Sequence, residues 1–472
     1  MTDGMASSDT RPPVGAPGRR VAATAALGGL LFGFDVAIIT GAGPFLERHF
    51  GLGALALGVA YSALLFGCIA GSGVAGHLAD QHGRRRPLMW VALLFAATSV
   101  ATGLAPTFSF FVAARFAGGL AVGAESILTP MYLSEISAPS VRGRLGTLYQ
   151  LSIVAGILIS YSVNYGLHNA GDFNWRWMFA TGAIPAVIFW IALRRVPESP
   201  RFLALRGRLN DARTVLMTMM PVQMAELELS SIQSEAHPGR VSISPWRRTD
   251  LRRPIAISIG LALLIHVSGI NTVVDYAPRI LQSAGFSMST ALFSTFGVGV
   301  IMLLSTVIAF PCIDARGRKP LYICGSIGMG VTLSGLSAAA SMNAFSGLPV
   351  LVVILAYIAC FSACIGPVFW TTLPELFPND ARAEAMKIPV MVQWIANAVM
   401  VLVFPTAFLH IGTAGTFAFL ASMSFAQAWF SWRFVPETRG RSLEEIGRSW
   451  SAPDPIIDHT AAEVAARAGR IV

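Results

Sequence analysis

Charged residues are scarce in this sequence. Of its 472 residues, 12% are Asp, Glu, Lys or Arg and 54% are apolar, and the mean hydropathy is +0.62. A soluble globular chain carries about twice that charged fraction. The apolar residues also fall into runs long enough to cross a bilayer, whereas a soluble chain of this length would need several separate cores. We therefore predict that lipid is the solvent for most of the chain.

Signatures of catalysis and of metal binding are missing as well. The sequence has no Walker-type phosphate loop, no HExxH metal motif and no nucleophile elbow. Its five cysteines lie within or at the ends of apolar runs, without metal-ligand spacing beside histidines or carboxylates. We interpret them as small packing residues. The chain is therefore predicted not to be an enzyme, and to need neither a metal nor another cofactor.

Twelve apolar runs have the length of a membrane span. A backbone in hydrocarbon must satisfy its own hydrogen bonds, and no run shows the alternating pattern of a barrel strand, so each run is predicted to be a helix. The fold class is thus an all-α membrane protein. The predicted spans are 21–43, 54–76, 87–105, 108–131, 145–168, 176–194, 254–277, 290–312, 320–341, 346–370, 386–409 and 413–434.

Basic residues indicate the orientation. With these spans, 27 of the 34 Lys and Arg residues fall in one set of loops and tails, and only Arg48 and Arg279 fall in the opposite set. Short loops rich in Lys and Arg stay in the cytoplasm. We expect a multi-pass protein of the cell membrane with both termini in the cytoplasm. Because the arginines cluster at the ends of apolar runs, the net charge of +9 reflects topology, and we predict no nucleic-acid partner.

The spans predict five segments. A disordered cytoplasmic N-terminus at 1–20 precedes a six-helix bundle at 21–195. A cytoplasmic linker follows at 196–253, with helical patterns at 210–219 and 224–234. A second six-helix bundle at 254–434 leads into a cytoplasmic tail at 435–472.

An internal repeat relates the two bundles. Asp80, Gly83, Arg84 and Arg85 recur as Asp314, Gly317, Arg318 and Lys319, at an offset of 234 residues. Glu135 and Arg142 recur as Glu375 and Arg382, and Pro197-Glu198-Ser199 recurs as Pro436-Glu437-Thr438. Three matches in the same order predict that the two halves are parallel repeats, as in many transporters.

These and other stretches carry a family resemblance. The sequence contains GHLADQHGRRRP, PMYLSEISAPSVRGRLGTLYQ, PESPRFL, GINTVVDYAP, GPVFWTTLPELFP and PETRGRSLEE. Together they resemble the signature set of the sugar porter family of the major facilitator superfamily, from about residue 20 to 447. The resemblance implies a major facilitator fold of two six-helix pseudo-repeats. It also implies alternating access to a small-molecule site at the midplane, in a protein that we expect to function as a monomer.

The loop signatures predict a cytoplasmic gate. Carboxylates and arginines at cytoplasmic helix ends can pair, and such pairs would latch the outward-facing state and break in the inward-facing one. The alternative is that they only orient the loops, because exposed ion pairs are weak. The predicted gate residues are Asp80, Arg84, Glu135, Arg142, Glu198, Asp314, Arg318, Glu375, Arg382 and Glu437.

Few ionisable residues lie well inside the predicted spans. They are Asp35, Arg115, Glu125, His266 and Asp275. Each costs at least a few kcal/mol in lipid, so each is expected to face a partner or a wet cavity.

Three of these residues are predicted to couple transport to protons. The resemblance places Asp35 where proton-coupled sugar porters keep an aspartate, and Arg115 where an arginine faces it. Protonation of Asp35 would release Arg115 and could tie proton entry to the conformational change. A static buried ion pair is the alternative. Glu125 replaces a residue that is usually small and apolar, and it resembles a glutamate of proton symporters for organic acids and other metabolites.

Four residues stand where sugar porters contact their substrate: Gln150, Asn271, Trp370 and Gln393. An amide suits a hydroxyl because it both donates and accepts a hydrogen bond, and an indole offers a flat apolar face to a sugar. The alternative for each residue is an amide that bridges helices or an aromatic ring that only packs.

Other positions depart from the family pattern. Two expected glutamines are Ile265 and His266, and a third is Ile157. An expected tyrosine is Asp275, and an expected asparagine is Met302. Because groups that would read hydroxyls are lost, the pocket could prefer a less hydroxylated, partly apolar or cationic molecule, with His266 and Asp275 among its contacts.

Two functions therefore stay open. The first is a secondary active transporter that moves a sugar or polyol by alternating access, coupled to protons. The second is a proton-coupled porter or exporter of a different metabolite or drug, such as an organic acid, a cation or a partly apolar compound. A sensor that binds ligand without moving it is disfavoured, because the short tails hold no signalling domain. The predicted partners are a small-molecule substrate, protons and the lipid bilayer.

Overall fold

The computed structural model describes residues 16–137, 139–235, 251–377 and 382–439. These residues form helices and connecting turns, and no strand occurs among them. Most of the predicted terminal segments, 1–20 and 435–472, lies outside the described residues. Residues 16–20 are an exception, because they belong to the first helix rather than to a disordered tail.

Seven helices cover the described residues of the first half of the chain. Five of the six predicted spans are single helices, and the sixth is divided at Thr181 and Gly182. Several helices run past their predicted ends because polar residues extend the apolar core of each span. The helices are α1 (Ala16–Phe50), α2 (Ala54–His82), α3 (Arg85–Gly103), α4 (Phe108–Ile136), α5 (Pro139–Leu167), α6 (Asn174–Ala180) and α7 (Ala183–Leu193).

Three short helices follow in the linker: α8 (Pro200–Leu205), α9 (Leu209–Met219) and α10 (Val222–Glu235). Helices α9 and α10 cover the two helical patterns predicted there. Helix α8 was not predicted, and it begins where the Ser199 hydroxyl accepts a hydrogen bond from the backbone of Phe202. The three helices enclose a small apolar core of Leu203, Ala212, Leu216, Met220, Ala225 and Leu229.

The described residues of the second half form nine helices, because two predicted continuous spans are interrupted and Ala277–Ser283 is a further short helix. The span predicted at 254–277 breaks at Ser268 and Gly269, and Gly269 has a φ of +87°. The span predicted at 346–370 breaks at Ile365. The helices are α11 (Arg252–Val267), α12 (Ile270–Asp275), α13 (Ala277–Ser283), α14 (Met288–Arg316), α15 (Arg318–Ser341), α16 (Gly347–Cys364), α17 (Gly366–Glu375), α18 (Arg382–His410) and α19 (Gly412–Phe434).

Eleven stretches of helix among the described residues are long and apolar enough to cross a membrane. Helix α19, with 23 residues, lies at the twelfth predicted span but is not one of the eleven. Glycine, threonine, serine and glutamine interrupt its apolar residues. The predicted all-α class is confirmed, and the polar content of α19 explains why its hydropathy is lower.

Contacts divide the chain into two units. Unit one comprises Met1–Arg240, Val274–Leu303 and Val401–Thr406, and unit two comprises Val241–Val273, Leu304–Met400 and Ala407–Val472. The boundaries of the two bundles predicted from the repeat stay a prediction.

Small residues let the helices of unit one approach closely. A β-carbon at Gly119 of α4 would lie 2.0 Å from the carbonyl oxygen of Leu64 in α2. A β-carbon at Gly33 of α1 would collide with the backbone of Ile153 in α5. Close backbone approach is a common way to pack helices in lipid, where no hydrophobic force drives them together. This packing holds α4 against α2 and α1 against α5, and α1 and α4 carry the ionisable residues described next.

Candidate functional site

A buried ion pair joins α1 to α4. The Arg115 Nη1 atom lies 2.6 Å from Asp35 Oδ1, and the two side chains are 3% and 9% exposed. Arg115 Nη2 also donates to the backbone carbonyl of Asp35 at 3.2 Å. The guanidinium carbon lies 5.2 Å from the ring centre of Phe179. A charge in the middle of membrane-spanning helices is thus paired, hydrogen-bonded and stacked on an aromatic ring.

Glu125 lies on the same helix as Arg115 but has no cationic partner. Its side chain is 1% exposed, and Oε2 accepts a hydrogen bond from the Tyr149 hydroxyl of α5 at 3.1 Å. Its other oxygen, Oε1, has no hydrogen-bond partner among the described residues. The three residues predicted to couple protons therefore occupy two different environments in unit one.

The loop signatures of the first half form a compact clamp, which we call clamp one: Arg84, Glu135, Glu198 and Ser199. Arg84 Nη2 donates to Glu135 Oε1 at 2.8 Å. Glu198 Oε1 accepts backbone N–H groups from Arg84 at 2.7 Å and from Ser199 at 2.9 Å. Clamp one ties the ends of α2, α3 and α4 to the segment that follows α7.

Unit two repeats this arrangement in clamp two: Arg318, Glu375, Glu437 and Thr438. Arg318 Nη2 donates to Glu375 Oε1 at 2.8 Å, and Glu437 Oε1 accepts the backbone N–H of Arg318 at 3.0 Å. Burial alone would raise the pKa of Glu437, but hydrogen bonds from backbone N–H groups, Arg439 first among them, hold it below its ordinary value.

A glycine is required in each clamp. Gly83 and Gly317 have φ values of +85° and +87°, in the region that side chains rarely adopt. A β-carbon at Gly83 would lie 2.5 Å from Glu198 Oε2, and one at Gly317 would lie 2.6 Å from Glu437 Oε2. The repeated glycine thus gives each glutamate access to the backbone N–H groups.

The remaining predicted gate residues are less defined. The Asp80 side chain is exposed, and its backbone carbonyl accepts a hydrogen bond from Arg206 at 3.4 Å. The side chains of Arg142, Asp314 and Arg382 lie outside the described residues. The pairing of Glu135 and Glu375 therefore involves the arginines that follow Gly83 and Gly317.

The predicted substrate residues lie in both units. Gln150 and Asp275 belong to unit one, where Asp275 is 7% exposed and interacts electrostatically with Arg115. His266, Asn271, Trp370 and Gln393 belong to unit two. Within the described ranges, neither ring nitrogen of His266 has a hydrogen-bond partner, nor does Gln393 Oε1. No direct contact among the four residues of unit two is recorded in those ranges.

Sequence reasoning missed one amide beside Gln393. Asn397 lies one helical turn further along α18, is 2% exposed, and its Oδ1 has no hydrogen-bond partner in the described part of the chain. Residues four apart share a helix face. The four-residue spacing of Gln393 and Asn397 in the sequence could have indicated that both amides face the same side of the helix.

A second cluster, which the sequence analysis did not predict, lies at the other end of unit one. Arg279 Nη1 lies 2.9 Å from Glu47 Oε2. The rings of Tyr61 and Tyr276 stack with centres 4.3 Å apart, and Phe404 stacks on Tyr276 at 5.1 Å. Glu47, Tyr61 and Arg279 also line a cavity of about 260 Å³.

Known proteins resemble the chain over nearly its whole length. The arabinose-proton symporter of Bacillus subtilis (strain 168) is 36% identical over 437 residues, covering 91% of this chain and 94% of the relative. The D-xylose-proton symporter of Escherichia coli (strain K12) is 35% identical over 464 residues, covering 90% and 94%. The partially occluded inward-open structure of the xylose transporter XylE from E. coli is 33% identical, has a TM-score of 0.80, and covers 90% of this chain and 99% of that one.

The match to a whole family is equally extensive. The family described as "Sugar (and other) transporter" matches residues 21–450. The solved relatives have the major facilitator fold, for which twelve spanning helices are expected, so the helix at the twelfth predicted span completes the set. These results confirm the predicted fold and a multi-pass membrane protein. The chain belongs to the sugar (and other) transporter family.

Proposed function

We propose that this protein is a proton-coupled symporter that moves a monosaccharide or a similar polyol across the cell membrane by alternating access. The observation that carries this proposal is the buried pair of Asp35 and Arg115, at 2.6 Å, within membrane-spanning helices. Relatives that cover most of the chain are named as arabinose-proton and D-xylose-proton symporters. Their names supply the substrate class, and the ion pair supplies a group able to exchange a proton.

The ion pair would act as the coupling switch. While Asp35 of α1 is ionised, it holds the side chain of Arg115 of α4 in the ion pair. When Asp35 takes a proton from the external side, the attraction is lost and the arginine is free to change partner. Solute binding to the protonated form would then permit the inward-opening step, and release of the proton into the cytoplasm would restore the pair.

Clamps one and two would act as the cytoplasmic latch. Each gathers helix ends within its own unit through one arginine and two glutamates. Charge-assisted hydrogen bonds of this kind are stronger than neutral ones. We propose that they persist in the outward-facing state and loosen when the cytoplasmic side opens. This assignment accords with both termini in the cytoplasm and with a protein that works as a monomer.

In unit two, Asn271, Trp370 and Gln393, joined by Asn397, would contact the substrate, and in unit one Gln150 would do so. Buried amide oxygens without protein partners are suited to ligand hydroxyls, because an unsatisfied buried acceptor costs about 1–3 kcal/mol. Gln393 and Asn397 each have such an oxygen.

Uptake by purified protein in proteoliposomes tests the proposal. A panel of labelled pentoses, hexoses and polyols is offered with the vesicle interior more alkaline than the outside, and again without a gradient. We expect accumulation of at least one sugar only when the gradient is present. Equal uptake under both conditions would reject coupling, and failure of every sugar would reject the substrate class.

A second function is favoured by Asp275 and His266. Both are buried, at 7% and 6% exposure, and both replace hydroxyl-reading residues of the family pattern. A carboxylate in the binding region would attract a cationic group. The alternative is therefore a proton-coupled porter of an amine-bearing or partly apolar metabolite. Including amino sugars and organic cations in the uptake panel separates the two functions.

A further inference from the structure

Glu125 is a second membrane-embedded acid, and its surroundings differ from those of Asp35. Glu125 belongs to α4, Gly28 of α1 and Tyr149 of α5 lie against its carboxyl group, and Phe189 of α7 lies beside Gly28. Tyr149 is the titratable group that faces it. Within the described residues, no charged side chain is recorded in interaction with Glu125. The carboxyl group therefore depends on neutral hydroxyl groups, those of Thr129 and Tyr149, for stabilisation.

The charge state of Glu125 follows from this environment. A buried ion without a countercharge costs several kcal/mol even after the protein relaxes, and a single hydrogen bond to a charged group returns about 1.5–3 kcal/mol. Protonation removes the charge at a smaller cost. The conformation seen here consequently favours the neutral acid at Glu125, whereas Asp35 has Arg115 as its countercharge.

The packing around Glu125 leaves room for the protonated oxygen. Gly28 has no side chain, and a β-carbon at that position would lie 2.7 Å from Glu125 Oε1 and 3.1 Å from Thr129 Oγ1. Both oxygens lack hydrogen-bond partners within the described ranges. A hydroxyl on Oε1 could therefore turn toward Thr129. The carboxyl, the threonine and the glycine form a small polar notch in an otherwise apolar interface.

The notch is also connected along α5 to a predicted substrate residue. Tyr149, which donates to Glu125, directly precedes Gln150, one of the residues expected to contact substrate. A movement of α5 during the transport cycle would thus move the donor of Glu125 and Gln150 together. On α1 and α4 the notch is displaced from the Asp35–Arg115 pair by seven to ten residues, or about 10–15 Å at the rise of an α-helix.

We propose that Glu125 binds a second proton in every transport cycle, so that two protons accompany each solute molecule. This inference rests on the proposed function. A proton from external water forms an O–H bond with the Glu125 carboxylate before the conformation seen here is reached. In the inward-open state that bond breaks, the proton passes to cytoplasmic water, and the carboxylate remains.

The stoichiometry of the unmodified protein is the first test. With the membrane potential clamped at zero and a gradient of one pH unit, each coupled proton contributes about a tenfold accumulation. Two protons predict about 100-fold accumulation at zero net flux, and one proton predicts about tenfold. A tenfold ratio would overturn the inference and leave the proposed function intact. A ratio near one would reject the proposed function itself.

Variants test the assignment to Glu125. Glu125→Gln mimics the neutral acid, so we expect accumulation to fall to about tenfold per pH unit while exchange of labelled for unlabelled solute persists. Glu226→Gln, on the exposed linker, is the matched control and should keep the full ratio. Accumulation of about 100-fold by Glu125→Gln would overturn the assignment.

Tyr149→Phe tests the proposal while the acid at Glu125 stays in place, with the pH midpoint of uptake as the measurement. Removing the hydroxyl withdraws a donor that favours the carboxylate over the neutral acid. We expect the pH midpoint of uptake to move to a more alkaline value, with the accumulation ratio unchanged. An unchanged midpoint would count against a proton that binds and leaves at Glu125 during the cycle.

Discussion

Replacing Asp35 with asparagine removes the charge that Arg115 needs while preserving the size of the side chain. Breaking a buried pair costs about 3–5 kcal/mol, because the remaining charge is left in a medium that solvates it poorly. Arg115 would keep its hydrogen bond to the backbone carbonyl of residue 35 and its position over Phe179. Together these return about 1–2 kcal/mol.

The net effect of Asp35→Asn is therefore about 1–4 kcal/mol, which lowers the population of the paired conformation by about 5–900-fold. Because no carboxylate then holds Arg115 in any state, solute movement no longer depends on a proton. We expect the accumulation ratio under a pH gradient to fall to about one. Exchange across a membrane without a gradient should remain measurable, because Asp35 is assigned no contact with the solute.

Reconstituted protein loaded with unlabelled solute measures exchange and accumulation in the same vesicles. Asp211→Asn is the matched control, because Asp211 forms a 2.7 Å pair with Arg208, but at a site where the two side chains are 53% and 63% exposed. Such pairs contribute little, so this control should behave as the unmodified protein does. Undiminished proton-driven accumulation by Asp35→Asn would refute the switch.

Three further predictions concern topology, specificity and pH. A reporter fused after Lys319 should report the cytoplasm and one fused after Asp172 the outside, because of the distribution of basic residues; a cytoplasmic signal at Asp172 would contradict the span assignment. The triple change Asp275→Tyr, Ile265→Gln and His266→Gln should restore two or three hydrogen bonds to a sugar and strengthen its binding about tenfold to a thousandfold, as measured by calorimetry. Tight, selective sugar binding by the unmodified protein would show that the lost residues are not needed to bind a sugar. The pKa of Glu437 is lowered in the folded protein. The stability that this carboxylate contributes is therefore present above its ordinary pKa of about 4.3 and is lost as the pH falls through the lowered value. Glu437→Gln should reduce the melting temperature at pH 7 and make that temperature decline less steeply in acid.

The spans could be predicted because lipid imposes a simple rule on composition. Long apolar runs identified the membrane helices, and the repeated loop motifs identified the ends that meet in the clamps. The break after Ser268 could not be predicted in this way, since hydropathy is insensitive to the positive φ of Gly269. Helix α19 shows that hydropathy also has a limit in the other direction. Its polar residues lower its hydropathy, so its identification as a spanning helix depends on the family fold as well.

The site was only partly accessible from sequence. Asp35 and Arg115 stood out because charges are rare in spans, and the structure places them in direct contact. Glu47 and Arg279 gave no such signal, since both lie at helix ends where charge is common and they are separated by 232 residues. Their pairing depends on how distant helices meet, which local patterns do not encode.

The two clamps also bear on how the protein is made. Clamp one joins Arg84 to Glu198 across 114 residues, and clamp two joins Arg318 to Glu437 across 119. Each clamp can form only after the sixth predicted span of its own half has left the ribosome, but neither clamp needs any residue of the other half. Clamp one can thus form while the second half is still being synthesised, so α1–α7 can be joined by their own clamp during insertion into the membrane.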